Sequence, residues 1–262
     1  MCAVGIGGGV GHRGVRRRAR QAGGALLTLT APSTSGYRTC GDGSGATATR
    51  AAGSPGGAEG AAVLRTEAEV ALRASLPPDR GIFGMSSGAR AEVDGLVRAL
   101  EALNPTGPEP LAGGAEVLRE RVDGTWRVLY TTVSIQGKRR TQLGLRVFVE
   151  LGEFLQIIDA DTGSVRNVIA FDALGKIRGA LTVNAAFRVA SGSRVDVDFT
   201  GSDIEPQGLR DIFQENYELL LAIFDPSGWL ETTYLDPAAL RVGRDDKGNV
   251  FVLERVLRAE DA

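Results

Sequence analysis

From Trp126 almost to the C-terminus, apolar and polar residues alternate with a period of two. The clearest case is Val195, Val197 and Phe199 alternating with Asp196, Asp198 and Thr200. Leu181, Val183, Ala185, Phe187 and Val189 alternate with Thr182, Asn184, Ala186 and Arg188. Trp126, Val128 and Tyr130 repeat the pattern. So do Phe154, Gln156 and Ile158, and Val165, Asn167, Ile169 and Phe171. Further strands are expected over 229–234, 240–243 and 250–255. Successive side chains of a strand point to opposite faces, so each segment needs one face on an apolar interior and one on water. The turns between them are short: Thr162-Gly163, Ser191-Gly192-Ser193 and Asp246-Lys247-Gly248-Asn249. Short connections mean antiparallel neighbours. About eight such strands close most cheaply into one barrel, because closure removes exposed edges, and a barrel of that size can hold one small ligand.

Two helices are expected ahead of the strands. Leu64, Ala68, Leu72 and Leu76 recur every four residues until Pro77-Pro78. Val93, Leu96, Val97, Leu100 and Leu103 line one face of a second helix that starts near Ser87. Asn104-Pro105 ends it, since the residue before proline is driven out of the α region. A third helical pattern, Leu209, Ile212, Phe213, Asn216, Tyr217, Leu220, Leu221 and Phe224, interrupts the strands. It could cover the barrel mouth, pack on the outer wall or lie on a membrane surface. Its acidic polar face lacks the Lys/Arg pattern of interfacial helices and favours protein packing.

The expected organisation is a leader over 1–60, a helical segment over 61–110 and a mainly β, antiparallel barrel over 111–262. The leader holds seven arginines, no lysine and two acids, with 16 of the chain's 36 glycines. Such a stretch has too few large apolar residues to offset its ordering entropy, and its Arg-rich, acid-poor composition is that of an organelle transit peptide. Residues 61–262 carry 23 basic and 30 acidic side chains, a net of −7. That balance argues against nucleic acid as a partner. The apolar run Leu219–Phe224 is far shorter than the roughly 18 residues of a spanning helix. The one histidine is His12, and the cysteines are Cys2 and Cys40. The region after residue 40 therefore has no His- or Cys-based triad, no zinc site of ordinary ligands and no disulfide framework. Asp196 and Asp198 face outward, Arg244-Asp245-Asp246 has the look of a charged turn, and no carboxylate stands out as an acid or base. No enzyme activity, cofactor or metal is expected.

Three stretches carry a resemblance. The first is Asp79-Arg80-Gly81 followed by Leu100-Glu101-Ala102-Leu103-Asn104-Pro105-Thr106. The second is Gly124-Thr125-Trp126-Arg127-Val128-Leu129-Tyr130-Thr131-Thr132. The third is Gly228-Trp229-Leu230-Glu231-Thr232-Thr233-Tyr234-Leu235-Asp236, then 240–244, then 248–255. With Val165-Arg166-Asn167-Val168, and in the same order over about residues 64–257, these resemble the plastid lipid-associated proteins, also called plastid fibrillins. The resemblance implies a lipocalin-like barrel in plastids, at plastoglobules or thylakoids. It further implies non-covalent handling of carotenoids, quinones or other prenyl lipids, or a coat-like role, and a plastid protein partner in some members.

Gly124-x-Trp126 also resembles the Gly-x-Trp of lipocalins. There the Trp ring closes one barrel end under an arginine of the last strand, which implies Arg255 here, with Arg241 as runner-up. Val128, Tyr130, Ile169, Phe187, Val197 and Phe199 are interior by parity and could line a pocket or fill a core. Asn167 sits among them, held by backbone or offering a hydrogen bond to a ligand. Tyr234, Asp236 and Arg241 form a polar cluster that either orients a ligand head group or builds a strand-end turn, for which Asp236-Pro237 is suited.

Overall fold

The structure is a computed structural model, and it describes residues 55–135, 149–173, 177–207, 221 and 224–256. Residues 1–54 of the leader expected over 1–60 and most of the helical pattern of 209–224 lie outside the described residues. Among the described residues three helices, α1 (Pro55–Ser75), α2 (Ser87–Glu101) and α3 (Ala115–Arg121), precede eight strands. These are β1 (Gly124–Thr131), β2 (Val149–Asp159), β3 (Ser164–Ala173), β4 (Ile177–Val189), β5 (Arg194–Glu205), β6 (Gly228–Leu235), β7 (Leu240–Asp245) and β8 (Val250–Arg255). Each strand pairs antiparallel with the next, and β8 returns to β1, closing the barrel. The alternating strands thus form the meander that their short turns demand.

Two helices lie where the periodicity puts them. Ser86 caps α2 by accepting the Ala89 amide, and Val93, Val97 and Leu100 are its buried stripe. In α1, Leu72 is fully buried, whereas Leu64 on the same expected stripe is 56% exposed. The helix begins at Pro55, inside the stretch expected to be leader. The seven-residue α3 was not expected; it is too short for a period of 3.6 to register.

The described residues form two apolar clusters, on opposite sides of one wall. The inner one fills part of the barrel and includes Trp126, Val128, Ile169, Phe171, Leu181, Val183 and Ile204. The outer one joins Leu72, Val93, Val97 and Leu100 of the helices to Tyr130, Tyr234, Leu240, Val242, Val250 and Val252. The wall made by β1 and β6–β8 is therefore covered on both faces.

Two β-bulges produce this. In β1 the pairing with β8 jumps from Val128↔Leu253 to Tyr130↔Val252, leaving Leu129 as the extra residue. In β6 the pairing with β7 jumps from Thr232↔Gly243 to Tyr234↔Val242, leaving Thr233 extra. An extra residue inverts the inside/outside parity beyond it. Tyr130 and Tyr234, expected in the barrel, thereby turn outward under the helices, while Thr131 and Leu235 turn inward.

The helical segment satisfies the backbone at both bulges. Arg80 Nε donates to the Val128 carbonyl at 3.1 Å, and the Thr131 amide donates to the Arg80 carbonyl at 2.9 Å. Gly81, at φ +81°, passes so close that a Cβ would lie 2.8 Å from the Thr131 carbonyl oxygen. At the second bulge, Asn104 Nδ2 donates to the Thr233 carbonyl at 3.2 Å, and its Oδ1 accepts the Leu235 amide at 3.1 Å. Thr106 Oγ1 donates to the Leu235 carbonyl. Asp79-Arg80-Gly81 and Asn104-Pro105-Thr106 are thus fasteners between helices and barrel.

Candidate functional site

One end of the barrel is shut. Trp126 is fully buried, and its indole N–H donates to the Val122 carbonyl at 2.8 Å. The Arg255 guanidinium stands 4.4 Å from the ring centroid and that of Arg241 4.8 Å, so both expected cation–π partners are used. Arg255 also donates to the carbonyls of Asp123, Arg121 and Pro237. Gly124 permits this: at φ +108°, a Cβ there would stand 3.2 Å from Arg255 Nη1.

Above the plug is a cavity of about 150 Å³, bordered at the closed end by Leu118 and Val122 and at the mouth by Asp225–Ser227 and Asp245–Lys247. Its walls are mostly apolar: Val128, Phe154, Phe187, Val197, Phe224 and Phe251 among others. Phe224 meets Phe154 edge-on at 6.1 Å. The other half of the barrel is packed solid by Phe171, Leu181, Val183 and Ile204.

The polar groups inside are few and connected. Arg241 of β7 is 3% exposed and donates through Nη2 to Gln156 Oε1 of β2. Gln156 Nε2 donates to Asn167 Oδ1 at 3.1 Å, its direct partner across β2 and β3. Burial, with the repulsion of nearby Arg255, pushes Arg241 down to about 9, which leaves it charged at neutral pH.

Of the sequence candidates, Val128, Asn167, Phe187, Val197 and Arg241 line this cavity. The other five do not. Tyr130 and Tyr234 lie in the outer cluster because of the two bulges. Ile169 is inside the barrel but in its packed half. Phe199 is 41% exposed: β5 pairs with β6 only as far as Val197↔Gly228, and Thr200 is an extra residue opposite β4. Asp236 builds the β6–β7 turn, accepting the Ala238 amide and facing Arg65 of α1 at 3.8 Å. Sequence parity also passed over Gln156, Thr131, Thr232 and Trp229, all of which border the cavity. Gln156 had a signal, a polar residue flanked at i±2 by Phe154 and Ile158.

Among the described residues no cluster of His, Cys, Asp and Glu could hold a metal ion, and no helix is long and apolar enough to cross a membrane. The PAP_fibrillin family model matches residues 71–254. The chain belongs to the plastid lipid-associated protein (fibrillin) family. Among its relatives is a chromoplast-specific carotenoid-associated protein C1 of an Oncidium hybrid cultivar, 29% identical over 214 residues, covering 67% of this chain and 64% of the relative. A probable plastid-lipid-associated protein 2 of Arabidopsis thaliana is 29% identical, covering 67% and 66%. Plastoglobulin-1 of Pisum sativum is 29% identical over 211 residues, covering 66% and 56%. The chain thus spans just under two thirds of the length of the first two relatives, and less of the third. Within this fibrillin, the stretches that carry the sequence resemblance fall mostly on the plug, the bulges and their fasteners.

Proposed function

We propose that this fibrillin is a plastid protein of plastoglobule or thylakoid surfaces whose barrel receives one end of a lipophilic molecule: a carotenoid, a quinone or another prenyl lipid. The observation that carries the reading is the apolar cavity with a connected polar floor, since binding sites combine an apolar lining with a few placed polar groups. Its location is supported by the relatives, which are chloroplastic or chromoplastic by name. A space of about 150 Å³ takes one ring or a short stretch of chain, so a long ligand extends through the mouth. Each methylene buried contributes roughly 0.8 kcal/mol, enough for useful affinity without enclosing the whole molecule. The function is binding, not catalysis.

The chain's two tryptophans report on the cavity: Trp229 borders it, and Trp126 lies under Arg241. Titration with decyl-plastoquinone is expected to quench their fluorescence saturably. Phe187→Asp, which puts a charge in the apolar wall, is expected to weaken binding by more than about tenfold. Non-saturable quenching, equal in both proteins, would refute the reading.

The second reading is a coat on plastoglobules with no specific internal ligand. The name of the pea relative favours it. It requires that folded Phe187→Asp protein still float with plastoglobules in a density gradient; loss of flotation would count against it.

A further inference from the structure

Arg241 is a buried cation with no counter-charge among the described residues. No described carboxylate forms an ion pair with it, and its Nε has no hydrogen-bond partner among the described residues. Its neutral neighbours, the Gln156 amide and the Trp126 ring, supply polarity but no negative charge. The carboxylates that border the cavity, Asp225, Asp245 and Asp246, stand at the mouth, and two of them are engaged there. Asp245 Oδ1 accepts the Lys247 and Asn249 amides, and Asp225 accepts the Ser227 amide and faces Lys247 at 3.9 Å. A buried unpaired charge is costly, and an anion hydrogen-bonded to it offsets that cost.

We infer that the cavity is built for an anionic amphiphile, a long-chain monocarboxylate, with its carboxylate on Arg241 and its chain running past Phe154 and Phe251 to the mouth. This rests on the reading of the barrel as a lipid receptor and names the ligand class. One guanidinium lining the cavity matches a monoanion rather than a phosphate dianion. Arg241 lines the cavity, and a guanidinium offers charge-assisted bonds to a planar carboxylate. A quinone or hydroxyl could accept the same hydrogen bond but would leave the guanidinium unneutralised. Asn167, linked through Gln156, adds a second polar contact point on the adjoining wall.

The test uses the full chain with cis-parinaric acid and its methyl ester, followed by probe fluorescence. The acid is expected to bind at least about tenfold more tightly than the ester, the usual value of a hydrogen bond to a charged group. Arg241→Gln should bring that ratio to about one, and Arg241→Lys should keep a preference for the acid. Equal affinities in the unaltered chain would overturn this inference and leave the lipophilic cavity standing, whereas failure of both probes to bind would overturn both. A tenfold acid preference surviving in Arg241→Gln would also overturn it. The comparison in the unaltered chain decides the matter even if the glutamine variant does not fold.

Discussion

Tyr234 sits fully buried between barrel and helices and donates its hydroxyl to Glu69 of α1. Burial, then the adjacent Glu69 carboxylate, raises its pKa above the ordinary value of 10.0. Folded protein then keeps this proton after the unfolded chain has lost it, so stability falls as pH rises above about 10. Tyr234→Phe is expected to cost about 1.5 kcal/mol at pH 7 and to flatten that alkaline decline, read by urea unfolding at pH 7 and pH 11. Gly81 is a second sensitive residue. Its positive φ is strained for any side chain, and the atom that a Cβ would strike is a backbone carbonyl, which cannot swing aside. Gly81→Ala is expected to lose at least about 2 kcal/mol by the same measurement.

A bulge frees backbone groups that a regular ladder would pair, and here each bulge has a dedicated partner in the helical segment. Asn104 serves four backbone groups of that segment and β6: the carbonyls of Gly107 and Thr233 and the amides of Thr106 and Leu235. Asn104→Ala leaves them without those partners, and a loss of about 2–3 kcal/mol is expected in chemical denaturation. Nearby, Glu101 of α2 holds Arg244 of β7 through both oxygens, at 2.8 and 3.0 Å, and accepts the Thr233 hydroxyl at 2.6 Å. The C-terminal end of α2 is therefore anchored to two strands. Proline at 105 ends the helix where the chain must begin to track β6.

The helical segment and the barrel share one core. The outer faces of β7 and β8 present Leu240, Val242, Val250 and Val252, all at most 4% exposed because α1 and α2 cover them. A chain lacking residues 61–110 would bare this patch and both bulges. It is expected to aggregate instead of yielding a soluble barrel, by size-exclusion chromatography. In the intact protein, far-ultraviolet circular dichroism and tryptophan fluorescence should report one coincident thermal transition, since α1 and α2 bury their apolar faces on the barrel's own wall.

Most of the architecture was legible in the linear pattern. Period-two segments joined by short glycine turns leave little choice but an antiparallel meander, and eight strands with apolar inner faces close on themselves. The plug was legible too, from Gly124, Trp126 and Arg255. Parity failed at Tyr130 and Phe199, and the head-group reading failed at Tyr234, each next to or just beyond a break in the ladder. A bulge is one residue of slip between two strands, and nothing in either strand's own alternation records it. Whether an inward side chain meets space or a neighbour is also invisible along one strand. Ile169 and Asn167 share one face of the same strand, yet one packs the filled half and the other faces the cavity. The isolation of Arg241 is of the same kind, because a charge is unpaired only once every strand around it has been placed.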